Sequence, residues 1–209
     1  MQAPIRCGQP SGTSTKLVAE QVDSSILQSI PNRHTEELFM PMRVDIDRAV
    51  RAVRAAIDFD WTWTPDDLRS FSQRAGWELS GSDRRKPALT TDLDVNRPDA
   101  RVSIGHFADL GGPPQLEEFS FKVTDVVLDD PSVRGELDEV FDELAQQVGT
   151  VVGHGPTEAW TEPTRGVRWD VPDLVVTVTT SARSVYVTFV SPEYQHWNDE
   201  NDKSLETAE

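Results

Sequence analysis

Between residues 44 and 57, apolar positions return at helical spacing as Ile46, Val50, Val53 and Ile57, while Asp47, Arg48, Arg51 and Arg54 take the other faces. Apolar residues three and four apart line one side of a 3.6-residue repeat, so this stretch predicts an amphipathic helix. After Phe59, Trp61 and Trp63, the run Thr64-Pro65-Asp66-Asp67 supplies a capping hydroxyl, a proline suited to a first turn and carboxylates that favour the positive end of a helix. A second helix is expected from about 65 to 75, burying Leu68, Phe71 and Ala75. Gly76 stops it, because a helix terminus commonly needs a residue that accepts left-handed geometry.

From residue 77 the period changes. Short alternating or apolar runs at 77–79, 88–93, 102–107 and 119–127 are separated by Ser-Gly, Asn-Arg-Pro and Gly-Gly-Pro-Pro turn signals. Phe119, Phe121 and Val123 share one side of a pleat, and the group reads as an antiparallel meander. Asp130-Pro131 then opens a helix whose apolar stripe is Val133, Leu137, Val140, Phe141, Leu144 and Val148, ending before Gly149. A polar connection through His154, Gly155 and Pro156 leads to strands at 167–171, 174–180 and 184–191, the last two joined by a turn at Ser181-Ala182-Arg183. The β-branched density of Val175, Val176, Thr177, Val178 and Thr179 favours strand.

The expected fold is therefore α+β: N-terminal helices, an antiparallel strand meander, a long central helix and a C-terminal strand hairpin, packed as one sheet against helices. The periodic pattern confines the single domain to residues 42–192. Residues 1–41 read as a flexible extension, in which Pro31 closes a short helix between 16 and 29, or as the product of an upstream start. Residues 193–209 read as an acidic tail, poor in apolar residues after Tyr194 and Trp197. No repeat of fixed period runs through the chain, although both halves follow a helix-then-strands order.

Charge narrows the classes of partner. Against 20 basic residues stand 36 acidic ones, a formal net charge of -16, which disfavours nonspecific attraction to nucleic acid or anionic lipid and suits a basic protein partner. The plainer reading is that acidity keeps the protein soluble. The one cysteine, Cys7, excludes an intramolecular disulfide and a cysteine metal cage. No window has the length and apolarity of a membrane span, and no secretory signal opens the chain, so a cytoplasmic location is expected.

Several places invite a chemical reading. His154 between glycines could present an imidazole on a sharp turn, but no Gly-x-Ser-x-Gly elbow accompanies it. Asp92, Asp94 and Asn96 open like a calcium loop, yet Arg97 stands where glycine is needed, Pro98 follows, and Ser103 takes the place of the bidentate glutamate. The histidines His34, His106, His154 and His196 lack zinc-ligand spacing. Gly111-Gly112 is followed by prolines that cannot donate amides to a phosphate. Acidic pairs (Asp58 with Asp60, Glu117 with Glu118, Asp129 with Asp130) and the basic run Arg84-Arg85-Lys86 are most simply solvated. These patterns name no catalytic, cofactor-binding or metal residue, no cofactor, and no identified partner-binding residue. Among the six tryptophans, Trp61, Trp63, Trp77 and Trp169 read as core anchors, and Trp160 and Trp197 lie in polar contexts suited to an interface.

The phrase Phe59-Asp60-Trp61-Thr62-Trp63-Thr64-Pro65-Asp66-Asp67, with Ala75-Gly76-Trp77, Gly155-Pro156-Thr157 and Val167-Arg168-Trp169, resembles an uncharacterised family of small actinobacterial proteins over residues of about 42 to 192. The element order is similar to secretion-chaperone-like folds, and this resemblance implies binding of client proteins in an immunity or chaperone role. The expected function is thus a non-enzymatic protein-binding module, associated with a toxin or secretion system. The alternative is a small-molecule site or an enzyme with a tryptophan-lined pocket and Asp60, Asp66 or His154 at its mouth. A third reading, a structural subunit, would require an exposed apolar patch.

Overall fold

A computed structural model describes residues 41–81, 87–105, 112–128 and 130–206, apart from the side chains of 205 and 206. The expectations for the extension and its short helix, for Cys7, His34, His106 and Asp129, and for the run Arg84-Arg85-Lys86 lie outside the described residues.

The first helix, α1 (Ile46–Ile57), opens on Asp45, whose carboxylate accepts the Arg48 amide and so satisfies a first-turn N–H that no helical carbonyl can reach. Its buried line is Ile46, Ala49, Ala52, Val53 and Ala56, while Val50 and Ile57 are half-buried. The expected stripe is thus rotated toward the alanines, whose small side chains allow close packing against the neighbouring helices. Helix α2 (Asp67–Ala75) starts two residues later than the proline signal predicts. The Thr64 hydroxyl pairs with that of Thr62 instead of capping, and Asp67 turns back to accept the Thr62 amide and hydroxyl at 2.8 and 2.9 Å. Gly76 ends α2 in the left-handed region, with φ 75°.

The first meander comprises β1 (Glu78–Ser80), β2 (Ala88–Thr90), β3 (Asp99–Gly105) and β4 (Gln115–Lys122). A 3-10 turn at Pro131–Val133, opened by Asp130 accepting the Ser132 amide, leads into α3 (Arg134–Val152). Every residue of the predicted stripe on this helix is buried. Gly149 lies within it, and Gly153, with φ 88°, provides the stop. Helix α3 carries the chain to the far edge of the sheet, where β5 (Glu158–Trp160), β6 (Gly166–Val171), β7 (Leu174–Thr180) and β8 (Val185–Val190) return to pair with β4.

The eight strands of the described residues are all antiparallel, in the order β1-β2-β3-β4-β8-β7-β6-β5. The order is palindromic: each half is helix followed by a four-stranded meander, and the halves meet where Phe119 faces Phe189 and Phe121 faces Val187. The fold is α+β, as the pattern predicts. Helices α1, α2 and α3 cover one face, over a core built on Phe71, Trp77, Phe119, Phe121, Phe141, Trp169 and Phe189.

The segment expected as an acidic tail is helix α4 (Pro192–Glu206). Arg168 alternates with the core residue Trp169 along β6, so it points to the opposite face, where it bridges Asp170, Glu158 and Asp199 of α4 at 2.7 to 3.3 Å. Three carboxylates on one guanidinium that is only 13% exposed fasten α4 to the outer face. Val175 and Val190, paired on that face, are buried.

Candidate partner-binding site

The α1–α2 connection holds an aromatic turn. Trp63 takes a left-handed backbone, φ 54°, in a residue with a bulky Cβ substituent, a conformation that costs about 1–3 kcal/mol and persists only where its surroundings impose it. Three contacts impose it. The Trp63 carbonyl accepts the Leu116 amide at 2.9 Å, its indole N–H donates to the Asp173 carbonyl at 2.9 Å, and the preceding Thr62 is held by Asp67. Trp61 stacks on Trp63 with centroids 4.7 Å apart, donates its own N–H to the Ala56 carbonyl, and reaches Phe59, Phe71 and Phe119 behind it.

Two depressions adjoin the half-buried Trp63. One, of about 260 Å³, is bounded by Trp61, Gln115, Pro172, Asp173, Pro192 and Glu193. The other, of about 460 Å³, is bounded by Thr64, Pro65, Asp66, Pro113, Pro114 and Gln115. Thr62, Trp63 and Gln115 line both, so the indole stands as a shared wall. From the sequence, Trp63 reads as a core anchor and Pro113 and Pro114 as turn formers. The structure brings them together with Asp66, which the sequence places at the mouth of a tryptophan-lined pocket in the alternative reading, whereas Asp60 borders neither depression.

The loop that opens like a calcium site has a different use. Asp92 accepts the Trp77 indole N–H at 3.1 Å and faces Arg48 and Arg51, while Asp94 pairs with Arg43 at 2.8 Å. Asn96 exchanges hydrogen bonds with the Val126 backbone, and its amide donates to Asp125 at 2.6 Å. Leu93 and Val95, between these polar residues, are buried. Burial by itself would raise the Asp45 and Asp125 carboxyls. Hydrogen bonds outweigh it and hold both below the usual range: for Asp45 from the Asp94 amide and Arg48, for Asp125 from the Asn96 amide and Arg43. Among the described residues no group of three His, Cys, Asp or Glu side chains is placed to hold a metal.

A third depression, of about 500 Å³, lies beside the C-terminus of α3 and is bounded by Gln146, Gly149, Thr150, His154, Gly155 and Trp169. His154 is exposed, and its Nδ1 lies 2.8 Å from the Gly155 carbonyl oxygen. The Trp169 indole N–H, in a side chain 1% exposed, has no acceptor among the described residues. Elsewhere, Glu117 occupies a bulge opposite β3, accepts the Ser103 hydroxyl, and fills the space that any Cβ at Gly105 would need. Burial raises the neighbouring Glu118 carboxyl, with Arg101 opposing and Glu117 adding to the shift. Trp77 and Trp169 are core residues. Trp160 is half-buried over Gly166, and Trp197, 40% exposed, stacks on Tyr194. His196 lies on α4 beside Glu200.

Residues 47–191 match a family described as "Family of unknown function (DUF6301)". The chain belongs to that family. No curated protein and no solved structure matches it. Among the described residues, no helix is long and apolar enough to cross a membrane.

Proposed function

We propose that this member of DUF6301 is a non-enzymatic, cytoplasmic protein-binding module that covers a basic surface of its partner, in the manner of an immunity protein or a client chaperone. The observation that carries the reading is the aromatic turn. A half-buried indole is held in a costly backbone conformation beside two depressions, with the carboxylates of Asp66, Asp173 and Glu193 at their rims. Rigid aromatic rings with apolar surroundings make the strongest interface anchors, because little side-chain entropy remains to be lost on binding. The acidic rim and the net charge of -16 favour encounter with a basic partner. Co-purification with the product of a neighbouring gene, and an affinity that weakens as salt rises, is the expected outcome. A salt-independent affinity, or no complex with any such product, contradicts it.

A further inference from the structure

The chemistry of the two depressions narrows the occupant, and the inference rests on the protein-binding reading above. Five of the bounding residues, Pro65, Pro113, Pro114, Pro172 and Pro192, have no backbone N–H. A wall so poor in amide donors cannot extend a strand ladder onto a ligand, so an occupant is gripped by side chains and not by β-pairing. Both indole N–H groups are already engaged, Trp61 with Ala56 and Trp63 with Asp173. The rings therefore offer their apolar surfaces and π electrons, and no donor. What suits such a wall is an apolar ring or a cation that packs on an indole face.

The rim decides between cation and anion. Asp66, Asp173 and Glu193 are exposed carboxylates, and among the described residues no lysine or arginine bounds either depression. A guanidinium can stack on an indole while its edge pairs with a carboxylate, which a compact ammonium does less well. Proline supplies the remaining requirement. A polyproline II segment has no internal hydrogen bonds to satisfy, loses little entropy on docking, and presents residues i and i+3 on one side, about 9 Å apart.

We propose that the two depressions that share Trp63 form one docking site for an extended segment of a partner protein that carries arginine and proline together. Arginine packs on the indole against the acidic rim, and proline fills the apolar floor between Pro113, Pro114 and Gln115.

The test uses the full chain and a synthetic twelve-residue peptide of Arg-Pro-Pro repeats, read by ¹H–¹⁵N spectra of the six indole N–H groups. The signals of Trp63 and Trp61 are expected to move on titration, while those of Trp77 and Trp169 stay. Replacing arginine by glutamate in the peptide, or proline by glycine, is expected to weaken binding at least about 10-fold. Trp63→Ala is expected to weaken it about 30-fold, the size of an interface hot spot. Should that variant fail to fold, the surface triple variant Asp66→Lys, Asp173→Lys, Glu193→Lys is expected to reduce arginine-peptide binding at least about 10-fold. Unmoved Trp63 signals, equal binding of the glutamate peptide, or full affinity in the triple variant overturns the assignment. A partner complex that persists while Trp63 is untouched overturns this inference alone. A peptide seated at Trp63 in a protein that forms no partner complex overturns only the reading it rests on.

Discussion

Two turns carry the densest functional groups of this chain, and they use them in opposite ways. In residues 92–96 each polar side chain already has protein partners: Asp92 meets Trp77 and two arginines, Asp94 meets Arg43, and Asn96 closes on Val126. In residues 62–66 the backbone is tied down through Asp67 and Leu116 and the Trp63 indole N–H through the Asp173 carbonyl, while the Trp63 ring borders both depressions. The 92–96 turn has the composition of a metal loop and serves structure. The 62–66 turn has the composition of a core segment and the geometry of a surface anchor. Engagement, not residue type, separates them: the Asp92 and Asp94 carboxylates are paired with guanidinium groups, whereas the Trp63 ring, held through its N–H, borders two depressions.

The comparison breaks if the 92–96 turn is dispensable. Asp125 accepts from the Asn96 amide and from Arg43 with its side chain 14% exposed. Asp125→Ala removes the part-buried carboxylate that accepts from the exposed Asn96 and Arg43 and is expected to lower unfolding free energy by about 1–2 kcal/mol in denaturant titration, with partner affinity unchanged. A loss below about 0.5 kcal/mol would place this network among ordinary surface ion pairs.

A smaller effect separates ring from backbone at Trp63. Glycine accepts φ near 54° without steric cost, so Trp63→Gly is expected to be about 1 kcal/mol more stable than Trp63→Ala, though both lose the ring. Equal stabilities would mean that the backbone there stores no strain.

The pH dependence sharpens the same contrast. Asp45 and Asp125 titrate below their unfolded values, so the stability they contribute is complete above the unfolded Asp value of about 3.9 and is lost as pH falls through the lower folded values. The gap between wild type and Asp125→Asn is expected to close over that window. Glu118 has the opposite sign: its folded value is raised, the ionised form is the disfavoured one, and its cost fades as pH falls toward the unfolded value. Glu118→Gln is therefore expected to raise the melting temperature slightly at neutral pH and to have no effect in acid. The smallest expected effect is that of calcium, which should leave the melting temperature of the wild type unchanged. A rise with calcium would show that the 92–96 carboxylates are free to coordinate.

Helices α1, α2 and α3 and most strands are legible because their apolar period is strong, as in the Leu137 to Val148 stripe of α3 or the valines of β7. What escaped has weak local signal. Strand β5 has three residues at a sheet edge, among polar neighbours and with no apolar alternation. Helix α4 lacks an apolar stripe because much of its attachment is polar, through Asp199 to Arg168, with Gln195 supporting Asp199 one turn away. Neither ion pair nor edge pairing has a periodic signature. The Trp63 site escaped for another reason. Its walls come from the α1–α2 turn, the start of β4, the β6–β7 turn and the start of α4, which only the palindromic sheet brings together. The clue present in the sequence is the company of Thr62, Thr64 and Pro65 around Trp61 and Trp63, unusual for residues meant only for a core.

The Trp63 turn is proposed to bind a partner while the Asp92 turn holds the fold. The affinity of the co-purifying partner for wild type, Trp63→Ala and Asp125→Ala, at a temperature where all three remain folded, separates the two roles. Trp63→Ala is expected to lose about 2 kcal/mol of binding while Asp125→Ala binds like wild type. Wild-type affinity in Trp63→Ala would contradict it.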